Sequence, residues 1–195
     1  MTLRQFYDWQ TAGGGDDVSR LVATLEHGEI AWCLIGDLAV NHWAREPMAT
    51  ADVDVVIAAD QVAVAVKALR KAGFTAKKFA WSVNLKGRSQ VTVQISTEEV
   101  YRDFPSRSVP ADIHGILMRV ASREDTLRGK LLAYQDLQRR ASKRQKDLLD
   151  IMHLVGSRIR SSANCCPLPW PKNWRNKSTD IPPPLRATVA AFLLQ

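Results

Sequence analysis

Asp52 and Asp54 stand two residues apart in the run Asp52-Val53-Asp54-Val55. On a strand, alternate side chains share a face, so these carboxylates lie side by side with Cα atoms ~6.6 Å apart. Like charges so placed repel, and a divalent cation gripped between them would relieve the repulsion. Hard oxygen donors suit Mg²⁺ or Mn²⁺, which also takes oxygens from a substrate phosphate. Sixteen residues before Asp52, an apolar run ends in Gly36-Asp37. A glycine at such a strand–helix junction lets backbone approach phosphate oxygens, and a helix N-terminus favours anions. Together these parts point to phosphoryl-type transfer from a nucleoside triphosphate (NTP). Asp-x-Asp alone also describes the solvated edge of a strand.

Several elements must position these residues. Asp16-Asp17, after the turn Gly13-Gly14-Gly15, opens a helix with Val18, Leu21, Val22 and Leu25 on one face. AWCLI (31–35) is a short buried strand, 38–44 a short helix, and 52–58 the strand carrying the two aspartates. Asp60 caps a helix with Val62, Val66 and Leu69 on its apolar face, ended by Gly73. Strands follow at 74–79, 90–95 and 115–120. This alternation predicts an α/β (α+β) domain with a small mixed sheet. From Ser122, with Asp125 three residues on, the chain reads as two packed helices. One stripe runs through Leu127, Leu131, Tyr134 and Leu137 or Gln138, the other through Leu148, Ile151, Met152 and Val155. Asp150 and His153 share a face at i, i+3 and suit a local hydrogen bond.

The segment IGDLAVNHWAREPMATADVDVVI resembles the signature of the DNA polymerase beta-like nucleotidyltransferase superfamily. In that signature a Gly-Gly or Gly-Ser at a strand–helix junction precedes paired aspartates on the next strand. LRGKLLAYQDLQRRASKRQKDLLDIMHL resembles the Lys-Leu-x-Ala … Arg … Lys-Asp-x-x-Asp-Leu helices of its AbiEii/AbiGii toxin-type branch, with Ile151 for the last Leu. The resemblance spans about residues 30 to 155 and implies a nucleotidyltransferase sheet core with helices completing the site. By position it implies Asp52 and Asp54 as metal ligands and Gly36 and Asp37 at the nucleotide phosphates, with Arg45 nearby. Lys130 would meet the triphosphate, and Asp147 would act on the attacking hydroxyl. It further implies NTP as substrate, RNA such as tRNA as acceptor, and a cognate antitoxin as partner. A small-molecule acceptor, as for antibiotic-type enzymes, and a catalytically impaired binding protein are the alternatives. Without the resemblance, Lys130 reads as an exposed helix lysine and Asp147 as a partner of Lys143 or Arg144. The run Arg139, Arg140, Lys143, Arg144, Lys146 reads as a solvated helix surface or a guide for RNA phosphates.

Two positions depart from the family pattern. Asp37 replaces a Gly or Ser, and its charge would repel a triphosphate unless a metal or Arg45 screens it. Gln94 stands where a third aspartate is common, and its amide can coordinate a metal but is a poor base.

Composition agrees with a globular protein: 195 residues, 46% hydrophobic and 24% charged. No apolar run approaches the ~20 residues that cross a membrane, and the N-terminus lacks signal-peptide character, so a cytoplasmic location is expected. Cys33 reads as a small buried hydrophobe, and the adjacent Cys165 and Cys166 lack zinc-site spacing. Residues 1–121 form the expected sheet core, 122–156 the helical region, and 157–195 an irregular basic tail with a short closing helix. The net charge of +7 falls mainly in that tail, which holds six basic residues and one acidic; residues 1–156 balance at +2. By that sum the core does not resemble a basic nucleic-acid module.

Overall fold

In the computed structural model, residues 5, 8, 13–44 and 50–161 are described, with side chains to 156. Arg45, the cysteine pair and the expected closing helix therefore lie outside the described residues. Helices α1 (Gly14–His27), α2 (Gly36–Ala44), α3 (Val62–Lys71), α4 (Arg123–Gln135) and α5 (Ala141–Ser161) surround seven strands. The strands are β1 (Trp32–Ile35), β2 (Asp52–Ile57), β3 (Thr75–Lys78), β4 (Ser82–Lys86), β5 (Thr92–Ser96), β6 (Val109–Ile113) and β7 (Ile116–Val120). They form one mixed sheet in the order β3-β4-β5-β2-β1-β7-β6. β2 lies at its centre, parallel to β5 and antiparallel to β1.

The pleat of β2 sorts its residues as the alternation predicts. Val53, Val55 and Ile57 enter the main core, which α1 and α3 close with Val18, Leu21, Leu25, Ala65 and Leu69. Asp52 and Asp54 take the opposite face. A second core joins α2, α4 and α5 through Val40, Leu127, Leu131, Ile151 and Leu154.

Several expectations need correction. Strands β4 and β6 were not anticipated: β4 is five residues long and β6 contains Pro110, so neither gives a long β-type run. Gly14 and Gly15 are buried in the first turn of α1 rather than forming a flexible turn. Asp17 is no simple helix opener. It is buried, accepts hydrogen bonds from the amide and hydroxyl of Ser89 at 2.7 and 2.6 Å, and pairs with Arg20. Asp60 caps nothing by its side chain, lying inside a single 3₁₀ turn before α3. Leu137 falls beyond α4 and is exposed, whereas Leu154 supplies core contacts that the expected stripe omitted. Ser122 does cap α4, accepting from the Asp125 amide at 3.1 Å.

Candidate active site

The end of β1 turns directly into α2, and Gly36 makes that turn with φ +67°. A Cβ at Gly36 would meet the Asp54 Cβ and Cγ at 2.9 Å. The glycine is therefore needed both for its left-handed backbone and for the approach of the Asp54 side chain. Asp54 is half-buried, aligned with Ile35 on β1 and with Gln94 on β5. Burial, then the charges of Asp37 and Asp52, push its carboxyl up to about 6, against the opposing pull of Lys130 and Lys143. Asp52 is exposed at the mouth of the same cavity.

That cavity, about 390 Å³, is lined by Gly36, Asp37, Asp52, Asp54, Lys130 and Asp147, and also by Gln94. The structure thus gathers residues from α2, β2, α4 and α5 that are up to 111 positions apart. Lys130 is buried in α4, and its Nζ meets Asp37 Oδ1 at 2.8 Å, Asp150 Oδ2 at 2.6 Å and Asp147 Oδ1 at 3.8 Å. Burial alone would lower its pKa; Asp37 and Asp150 outweigh it and hold the ammonium above its ordinary value.

Two lysines screen Asp37 within the described residues. It lies in the first turn of α2, and its two oxygens are taken by Lys130 and by Lys146 at 2.6 Å. Burial would raise its carboxyl, but these two lysines hold it below the usual value. Asp147 is buried too, and its partner is neither Lys143 nor Arg144: Arg139 Nε donates to it at 2.7 Å. Arg144 instead donates to the carbonyl of Tyr134. The basic run is therefore divided by the turn before α5, with Arg139, Lys143 and Lys146 lining the cavity.

Asp150 has no exposed surface and was given no site role by sequence reasoning. It is the second acid of Lys-Asp-x-x-Asp, and i, i+3 spacing on one helix face was the signal available. His42 packs edge-on against Trp43 and does not line the cavity. Cys33 is buried, and burial pushes its thiol up to about 12.

The matching family model covers residues 39–168 and describes a nucleotidyl transferase AbiEii toxin of a type IV toxin–antitoxin system. The chain belongs to the AbiEii family. This places it in the general class of nucleotidyltransferases, and the fold agrees. An antigenic nucleotidyltransferase-like protein from Paracoccidioides brasiliensis is 20% identical, covering 92% of this chain and 86% of its own, with a TM-score of 0.51. ANT(2″)-Ia in complex with adenylyl-2″-tobramycin is 10% identical, covering 90% of this chain and 94% of its own, with a TM-score of 0.57. Both are likenesses of fold. No curated protein matches the sequence. In this AbiEii member the helices carrying Lys130 and Asp147 fall inside the matched region, as do Asp52 and Asp54, while Gly36 and Asp37 precede it.

Proposed function

We propose that this AbiEii protein transfers a nucleoside monophosphate from an NTP to a hydroxyl acceptor, with RNA such as tRNA the first acceptor to test. The reading rests on one observation: the paired carboxylates of β2 open into the same cavity as Lys130 and Asp147. Among the described residues no group of three or more His, Cys, Asp or Glu is arranged to hold a metal by itself. Two carboxylates suit Mg²⁺ or Mn²⁺ all the same, because such ions complete their shell with water and substrate phosphate. The raised pKa of Asp54 reports burial of its charge first and repulsion by Asp37 and Asp52 second, and a bound cation would offset both. Asp52 and Asp54 would hold the ion, which when bound would polarise the α-phosphate.

The protein's own groups supply the rest. Lys130 would neutralise charge on the departing pyrophosphate. Asp147, oriented by Arg139, would accept the proton of the attacking hydroxyl. The family description supports a toxin role with a cognate antitoxin. ANT(2″)-Ia, crystallised in complex with adenylyl-2″-tobramycin, supports a small-molecule acceptor as the alternative.

A second reading, nucleotide binding without transfer, is favoured by Gln94 in register beside Asp54 and by Asp37 occupying Lys130 and Lys146. Incubation with each labelled NTP, Mg²⁺ or Mn²⁺ and total RNA separates the two. Label transfer lost in Asp54→Ala is expected. No transfer, together with metal-dependent NTP binding by thermal shift, would support the second reading. Neither transfer nor any metal-dependent shift would sink both.

A further inference from the structure

The near-neutral charge of residues 1–156 conceals a strong segregation. Residues 61–97 contain seven basic residues (Lys67, Arg70, Lys71, Lys77, Lys78, Lys86 and Arg88) and no acidic one. The remainder, 1–60 and 98–156, holds 14 basic and 19 acidic residues. All seven cations are exposed, on α3, β3, β4 and the turns beside them.

Strand register ties part of this region to the active-site cavity. Asp54 is aligned with Gln94, Gln94 with Asn84, and Asn84 with Lys77. The next row runs Asp52, Thr92, Lys86, Thr75. Residues paired across strands share a face, so one polar sheet face leads from the two carboxylates to the edge strand β3, ~14 Å away at strand spacing. Val83, Leu85, Val93 and Ile95 occupy the other face, in the main core.

Two features of this face suit a polynucleotide. Lys77 and Lys86 provide cations, Lys86 also donating to the Val91 carbonyl at 3.3 Å. At the outer end of the face Trp81 is 69% exposed and Phe79 44%, and Lys77 Nζ lies 5.2 Å from the centre of the Phe79 ring. Cations alone would suit any polyanion; exposed aromatics at the end of the row suit one that carries flat bases.

We infer that the β5–β4–β3 face is the docking surface for a single-stranded RNA, guiding it from the edge at Phe79 and Trp81 into the cavity at Asp54. The choice of RNA rests on the proposed transfer to a hydroxyl, since RNA offers a 2′-hydroxyl on every nucleotide. The surface itself is tested without any transfer.

The experiment measures fluorescence anisotropy of a labelled 12-nucleotide single-stranded RNA with the full chain across salt concentrations. Binding is expected to weaken with salt. K77E/K86E is expected to reduce affinity more than tenfold and flatten the salt slope, and W81A to reduce it about tenfold. Both variants should keep the wild-type melting temperature and NTP binding, because these residues are exposed and outside the cavity lining. D54A should retain RNA binding. Equal RNA affinity in wild type, K77E/K86E and W81A would overturn the assignment, as would competition by poly-glutamate as effective as by unlabelled RNA, or equal binding of the deoxy oligonucleotide. Loss of NTP binding in wild type, with RNA binding intact, would count against the proposed transfer and leave the surface standing.

Discussion

The carboxylate of Asp37 holds Lys130 and Lys146 at 2.8 and 2.6 Å, and these are cations the proposed transfer would turn toward a triphosphate. An NTP must therefore compete with an anion built into α2. Asp37→Asn keeps the shape and removes the competitor, so NTP affinity measured by titration calorimetry should rise about fivefold. An unchanged affinity would mean the phosphates bind elsewhere. Asp54 makes a pH prediction of opposite character. Its folded carboxyl titrates at about 6, above the ordinary 3.8. Folding thus takes up a proton between those values, and this stabilising contribution is complete below about pH 4 and lost as pH rises through about 6. Asp54→Asn should consequently stabilise the metal-free protein above pH 6, by about 1–2 kcal/mol in urea unfolding. Divalent-cation affinity of the unmodified protein should fall as pH drops below about 6, when Asp54 becomes protonated.

At the scale of elements, α4 and α5 meet through an apolar seam and a buried ionic cluster. Leu127, Leu131, Ile151 and Leu154 form the seam. Lys130 on α4 is joined to Asp150 on α5 at 2.6 Å, with Asp147 at 3.8 Å. Removing one member of a buried ionic cluster weakens the compensation of the rest, here leaving Lys130 to Asp37 at 2.8 Å. Asp150→Ala should lower stability by about 3 kcal/mol in urea unfolding, while Leu154→Ala should cost a similar ~3 kcal/mol through its cavity alone. The two differ in salt response: Asp150→Ala leaves the Lys130 ammonium with Asp37 as its one close carboxylate, so added anions should recover part of its loss and none of the Leu154→Ala loss. Identical salt behaviour would show that Asp150 acts only through packing. The short α2 depends on Gly36 in the same way, since its φ of +67° and the Asp54 side chain both exclude a larger residue.

Across the whole molecule, the sheet order fixes which strands can open independently. β2 has partners on both sides, whereas β3 and β6 end the sheet. Hydrogen exchange should therefore find the β2 amides opening only with global unfolding, and those of β3 exchanging faster through local fraying. Equal protection of the two strands would contradict this. The arrangement suits the proposed chemistry: the paired carboxylates sit on the most constrained strand, and the proposed RNA-docking face runs out to the least constrained one.

Much of this was legible in the sequence because it depends on short-range periodicity. Period-two alternation put Asp52 and Asp54 on one face of a strand, helical spacing found α1, α4 and α5, and Ser122 announced its own cap. The site residues on β2, α4 and α5 could be ordered along the chain from their motifs. Their partners could not. Asp37 and Lys130 are 93 positions apart, and Asp17 and Ser89 are 72 apart. Such pairs exist only when packing of apolar faces has brought their elements together, because no local pattern encodes which charge will face which. The charge segregation of 61–97 is countable along the chain, but only strand register lines Gln94, Asn84 and Lys77 up beside Asp54.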